Sequence, residues 1–138
     1  MEREIFVDAG AWIAITDTRD KYHRSASDLY KRLLAEHKTL VTTNLVVAEA
    51  YIIIRRTGGH GPAMRFLQSI RESVRLHKIY SDARIEAEAE EILERFADQD
   101  FSLTDAVSFV VMKDREIEEA FAFDQHFLTA GFGLLPEG

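Results

Sequence analysis

Four carboxylates in this sequence stand where a folding chain does not ordinarily leave an acid. Asp8 closes the apolar run Ile5-Phe6-Val7, and Asp124 closes Ala120-Phe121-Ala122-Phe123. Glu49 falls inside the apolar segment LVVAEAYIII, with Leu45, Ile52 and Ile53 on its helical face at spacings of three and four. Asp105 follows Ser102 by three residues before AVSFVVM, the pattern of an N-terminal capping box with aspartate standing for glutamate. Two strand ends, one helix interior and one helix start can deliver these acids to a single pocket. Gathered there, they would raise one another's pKa values as a coupled set unless cations filled the site. Magnesium or manganese is the natural occupant, because both favour oxygen ligands and the chain has neither a cysteine nor a histidine-cysteine cluster for zinc. A cation held in this way can activate water for attack on a phosphodiester.

Each acid also has a plainer reading. Asp8 and Asp124 can cap the helical segments that follow them, and Asp105 can serve its capping box alone. Glu49 can pair with Arg55 or Arg56, or reach solvent along its own stem.

The elements that must position these acids are legible from periodicity. Ile5-Phe6-Val7 has the continuous apolar character of a strand buried on both faces. YHRSASDLYKRLLAEH places Ala26, Leu29, Tyr30, Leu33 and Leu34 at helical spacing, and TLVTT reads as a second strand. Asn44 is a plausible N-cap for LVVAEAYIIIRR, which stops at Gly58-Gly59. PAMRFLQSIRESV and RIEAEAEEILERFA supply two amphipathic helices separated by the strand-like RLHKIYS. SLTDAVSFVVMKD gives a further helix, followed by the strand AFAF, a helical turn through Phe127 and an extended piece at GLLP. Strands alternating with helices predict an α/β fold, a three-layer α/β/α sandwich on a mainly parallel sheet of four to five strands. In such a sheet ligands bind beyond the carboxyl ends of the strands, which is where Asp8 and Asp124 fall.

The chain of 138 residues suits one domain spanning residues 1–138, with hydrophobic residues at 46% and charged residues at 30%. Without cysteine there is no disulfide framework and no thiol nucleophile. No apolar stretch has the length of a signal peptide or membrane span, so a cytoplasmic location away from membranes is expected. A formal charge of -7 argues against broad electrostatic adhesion to nucleic acid or membrane. It leaves room for a nucleic-acid substrate received through cations held by clustered acids.

IFVDAGAWIAI, TTNLVVAEAY, FSLTDAVSFVVM and AFAFDQHF together resemble, in order and spacing, the four acidic motifs of the PIN-domain nucleases, especially the small toxins of the VapC type. The resemblance covers nearly the whole chain. It implies that Asp8, Glu49, Asp105 and Asp124 form the acidic catalytic and metal-binding site. It also implies a PIN-like fold, magnesium- or manganese-dependent cleavage of RNA, frequent homodimers and, in the toxin subgroup, a cognate antitoxin. One departure stands out: the family usually places a hydroxyl residue just after the first aspartate, whereas Ala9 and Gly10 follow Asp8 here. Thr43, Asn44 or Thr104 can supply a polar group instead.

The departure motivates an alternative, a PIN-like interaction module with weakened or lost catalysis; a PIN nuclease with a non-toxin role is another. A phosphotransfer enzyme of the haloacid-dehalogenase type would need its second aspartate at position 10, which is Gly10. Arg19, Lys21 and Arg24, together with Arg55, Arg56 and His126, are further candidates for substrate contact. Their plainer readings are solvated charge and, for His126, an exposed helix start. Asp98 and Asp100 read as loop acids. The polar loops at residues 17–23 and 55–62 are where specificity would reside.

Overall fold

Phe6, Val7, Leu40, Val41 and Phe121 are wholly shielded from solvent, and their strands form the middle of a five-stranded sheet. The structure is a computed structural model and describes residues 3–137. In chain order the elements are β1 (Glu4–Val7), α1 (Ala9–Thr16), α2 (His23–Ala35), β2 (Thr39–Thr43), α3 (Asn44–Gly58), α4 (His60–Glu72) and β3 (Leu76–Ile79). There follow α5 (Ala83–Arg95), α6 (Leu103–Asp114), β4 (Glu119–Phe121), α7 (His126–Thr129) and β5 (Gly133–Leu135).

The strands run in the order β3-β2-β1-β4-β5, and every pairing is parallel. The chain moves outward from β1 through β2 to β3, then crosses back to add β4 and β5 on the other side of β1. Right-handed crossovers therefore place α1 to α4 on one face and α5 to α7 on the other. The helix contacts agree, with α1 against α2 and α3, α3 against α4, and α6 against α5 and α7. This is the expected α/β/α sandwich, with five strands and a wholly parallel sheet. The strand order reverses between β1 and β4, which opens a crevice at their carboxyl ends.

Local differences from the sequence reading have physical causes. The segment after Asp8 forms the full helix α1, whose run AGAWIAIT is apolar on nearly every side and so shows no helical period. Thr43, not Asn44, caps α3: its hydroxyl accepts from the Val46 N–H at 3.1 Å. Asn44 is already helical, and its Oδ1 accepts from the Ser81 N–H at 2.9 Å, tying the segment after β3 to α3. β4 begins at Glu119 and ends at Phe121; Ala122 still donates to the Leu135 carbonyl, and Phe123 leaves the sheet. α4 starts at His60, directly after Gly59, whose φ of 91° turns the chain between α3 and α4.

Candidate functional site

Asp8 continues the sheet for one residue before the chain turns into α1. Its N–H donates to the Phe121 carbonyl at 3.0 Å, while its own carbonyl accepts from Ala11 and Trp12. The backbone is extended at the N-cap position, yet the side chain makes no capping bond, so the cap reading fails for this residue. Asp8 is 8% exposed, and the pKa of its carboxyl is pushed up to about 7. Desolvation is the largest cause; the charges of Asp105, Glu49 and Asp124 add to it, and the Ala9 N–H opposes it.

Asp105 is held by the expected capping box. Ser102 Oγ accepts from the Asp105 N–H and Asp105 Oδ2 accepts from the Ser102 N–H, both at 3.0 Å. The box fixes this buried carboxylate at the start of α6. His126 Nδ1 lies 2.8 Å from the same oxygen and 3.2 Å from Asp124 Oδ1. Asp124 Oδ1 also accepts from the His126 N–H at 2.8 Å, so Asp124 both caps the turn into α7 and faces the cluster. The side chain of His126 is only 28% exposed and packs edge-on against Phe101, which overturns its reading as an exposed helix start.

Glu49 stands on the solvent side of α3, whose buried stripe is Val46, Val47, Ala50 and Ile54. The face expected to bury it does so incompletely, since Ile52 is 48% exposed. Its pKa is nonetheless raised, by desolvation first and then by the charges of Asp105 and Asp124, while a hydrogen bond with the Thr104 side chain works in the opposite direction. Thr104 thus supplies a polar group, but to Glu49 rather than to Asp8. Thr42, which sequence reasoning did not single out, sits beside the peptide leading into Asp8. Its hydroxyl donates to the Val7 carbonyl at 2.9 Å and accepts from the Trp12 indole at 3.3 Å.

The charges of Asp105, Glu49 and Asp124 act on Asp8 at the strand-order reversal where a parallel sheet binds ligands, while the group of ligand atoms close enough to share one ion does not include Asp8 or Glu49. Ligand atoms of Asp105, Asp124 and His126 lie within 4.8 Å of one another, a spacing one small divalent cation can span. The carboxylate oxygens suit a hard divalent cation. The remaining candidates make other contacts or are exposed to solvent. Arg19 is tied to Asp17 and to the Thr57 carbonyl. Lys21 lies over the Tyr22 ring, and Arg24 is exposed on the first turn of α2. Arg55 and Arg56 are exposed in the last turn of α3, roughly 9 Å farther along its axis than Glu49. Asp98 and Asp100 are exposed and outside the group.

A family model described as "PIN domain" matches residues 5–133. The chain belongs to the PIN-domain family. Within the family it is 36% identical over 129 residues to the 23S rRNA-specific endonuclease VapC20 of Mycobacterium tuberculosis, an alignment covering 93% of this chain and 95% of that protein. A VapC ribonuclease of Archaeoglobus fulgidus is 27% identical over 129 residues, covering 92% of this chain and 81% of that one. The crystal structure of VapC20, described as a sarcin-ricin loop cleaving toxin, superposes with a TM-score of 0.83 at 35% identity, over 93% of this PIN domain and 95% of that chain. VapBC2 from Rickettsia felis, bound to a DNA fragment from its promoter, has a TM-score of 0.69 at 13% identity, over 95% and 96% of the two chains; it supports the fold alone. Among the described residues of this PIN domain, no helix is long and apolar enough to cross a membrane.

Proposed function

We propose that this PIN-domain protein is a magnesium- or manganese-dependent endoribonuclease, the toxin of a toxin-antitoxin pair, acting in the cytoplasm as a homodimer. The observation carrying this reading is the buried carboxyl of Asp8 at the sheet's crevice, on which the charges of Asp105, Glu49 and Asp124 act. The likeness to VapC20 over nearly the full length of both chains supports the choice of RNA as substrate and of an antitoxin as partner.

Asp8, Asp105 and Asp124 would hold the cation, and Glu49 would complete the set or orient the attacking water. When bound, the ion supplies Lewis acidity to the phosphate and lowers the pKa of water. The chain does the rest. Desolvation makes Asp8 costly to charge alone, so a cation that balances the acids would be favoured beside it. The capping box fixes Asp105, so its geometry does not relax when substrate arrives. Glu49, with its raised pKa, its Thr104 hydrogen bond and its access to solvent, is suited to accept a proton from water.

Incubating the purified protein with RNA in Mg2+ or Mn2+, beside EDTA and Asp8→Asn controls, tests the proposal. Cleavage confined to the wild type with metal is expected. Equal cleavage by Asp8→Asn would refute the assignment, and metal-dependent binding without cleavage would favour the interaction-module reading.

A further inference from the structure

A concavity lies against the segment that carries Asp124. It has a volume of about 740 Å³ and lies at the carboxyl edge of β4 and β5, lined by Tyr22, Ser25, Phe123, Gln125, Leu128 and Glu137 together with three further apolar residues. Phe123 and Gln125 flank Asp124 in the chain, so the cleft lies against the segment that carries this acid, although Asp124 itself does not line it. From this structure we infer that the cleft takes one unpaired nucleobase of the substrate next to the scissile phosphate. The inference rests on the endoribonuclease reading above.

The lining chemistry favours a base over an apolar peptide. Tyr22 and Phe123 are stacked with ring centroids 4.3 Å apart and planes 3° from parallel, bridging the start of α2 and the loop after β4. Tyr22 is 39% exposed, and an aromatic stack with an open end can be extended by a base, since every base presents a π-face. At that end the Lys21 ammonium lies 5.0 Å from the Tyr22 ring centroid, a cation–π contact that a neighbouring phosphate would draw away as the base arrives. Leu128, 54% exposed, adds an apolar wall. The Gln125 side chain caps nothing and offers an amide donor and acceptor to a base edge, and Ser25 offers a hydroxyl lone pair while donating to the Tyr22 carbonyl. An aromatic shelf, an amide, a hydroxyl and one flexible cation beside a phosphodiester-cleaving site are the means by which proteins read splayed-out RNA bases.

The test compares wild type with Tyr22→Leu and Gln125→Ala, neither of which touches the acids. Single-site RNAs varying in the base next to the cut are cleaved in Mn2+, and binding is read separately as quenching of a fluorescent base analogue at that position. Tyr22→Leu should raise KM roughly tenfold with little change in kcat and abolish the quenching. Gln125→Ala should flatten the preference among bases, and both variants should bind Mn2+ as wild type does. Wild-type KM, quenching and base preference in both variants, with cleavage intact, would overturn the cleft while sparing the nuclease reading. Quenching lost in Tyr22→Leu without cleavage by any form would do the reverse. Binding of an apolar peptide that leaves RNA quenching and cleavage untouched would also overturn the base assignment.

Discussion

His126 Nδ1 and Asp105 Oδ2 lie 2.8 Å apart, and that oxygen already accepts the Ser102 N–H. Both neighbours of Nδ1, Asp105 and Asp124, are acceptors, so the ring proton belongs on Nδ1 and the imidazole donates. Two donors on Oδ2 leave Oδ1 as the oxygen of Asp105 available to a cation. His126 thus positions Asp105 through its ring and Asp124 through its backbone N–H.

His126→Ala should therefore weaken Mn2+ binding by about 10- to 100-fold, the usual effect of removing a group that orients a ligand. His126→Asn, which keeps a side-chain donor, should recover part of the loss. Calorimetric titration checks both; unchanged affinity in the alanine variant would show that the contact is incidental.

The sequence exposed this site unevenly, for reasons visible in the residues. The capping box was readable because Ser102 and Asp105 interact locally, within one helical turn. The sheet was readable because β1 and β2 are short apolar runs between helical periods. The role of His126 was not, because its partner Asp105 is distant in sequence and the contact exists only once α6 and α7 pack. Glu49 was singled out from an apolar face that is half open: its pKa is raised by desolvation first and then by the charges of Asp105 and Asp124, which come from other elements. Thr42 looked like an ordinary strand threonine until the fold placed it between Val7 and Trp12.

Asp8 should make the metal-free protein less stable as pH rises. Its folded pKa of about 7 exceeds the ordinary aspartate value of 3.8, so the folded state keeps a proton that the unfolded chain releases in between. Stability from this group is greatest below that window and is lost as pH climbs toward 7, by at most on the order of 4 kcal/mol. In EDTA, the Tm of the wild type should fall between pH 5 and pH 8 by roughly 5 °C or more, and that of Asp8→Asn should fall less. Saturating Mn2+ should restore the wild-type Tm at the alkaline end. Identical slopes for the two proteins in EDTA would contradict the burial assigned to Asp8.

Gly10 marks the departure from the family's first motif, and the structure leaves room there. A Cβ at this helical position would meet nothing within 4 Å. Gly10→Ser should fold normally and gain about 0.5 kcal/mol from helix propensity, read by urea denaturation. If the missing hydroxyl limits activity, the variant should also cleave RNA faster at unchanged KM. A loss of stability would show that glycine is required at this turn of α1.

The central claim is that four acids from separate elements serve one cation. Its most direct test is calorimetric titration of Mn2+ into the wild type, Asp8→Asn, Glu49→Gln, Asp105→Asn and Asp124→Asn at one neutral pH. A shared site predicts saturable binding by the wild type that weakens in all four variants, most in Asp8→Asn, where the buried charge is lost. Wild-type affinity in Asp8→Asn and Asp124→Asn together would contradict it, because the acids ending β1 and following β4 would then not serve the same ion.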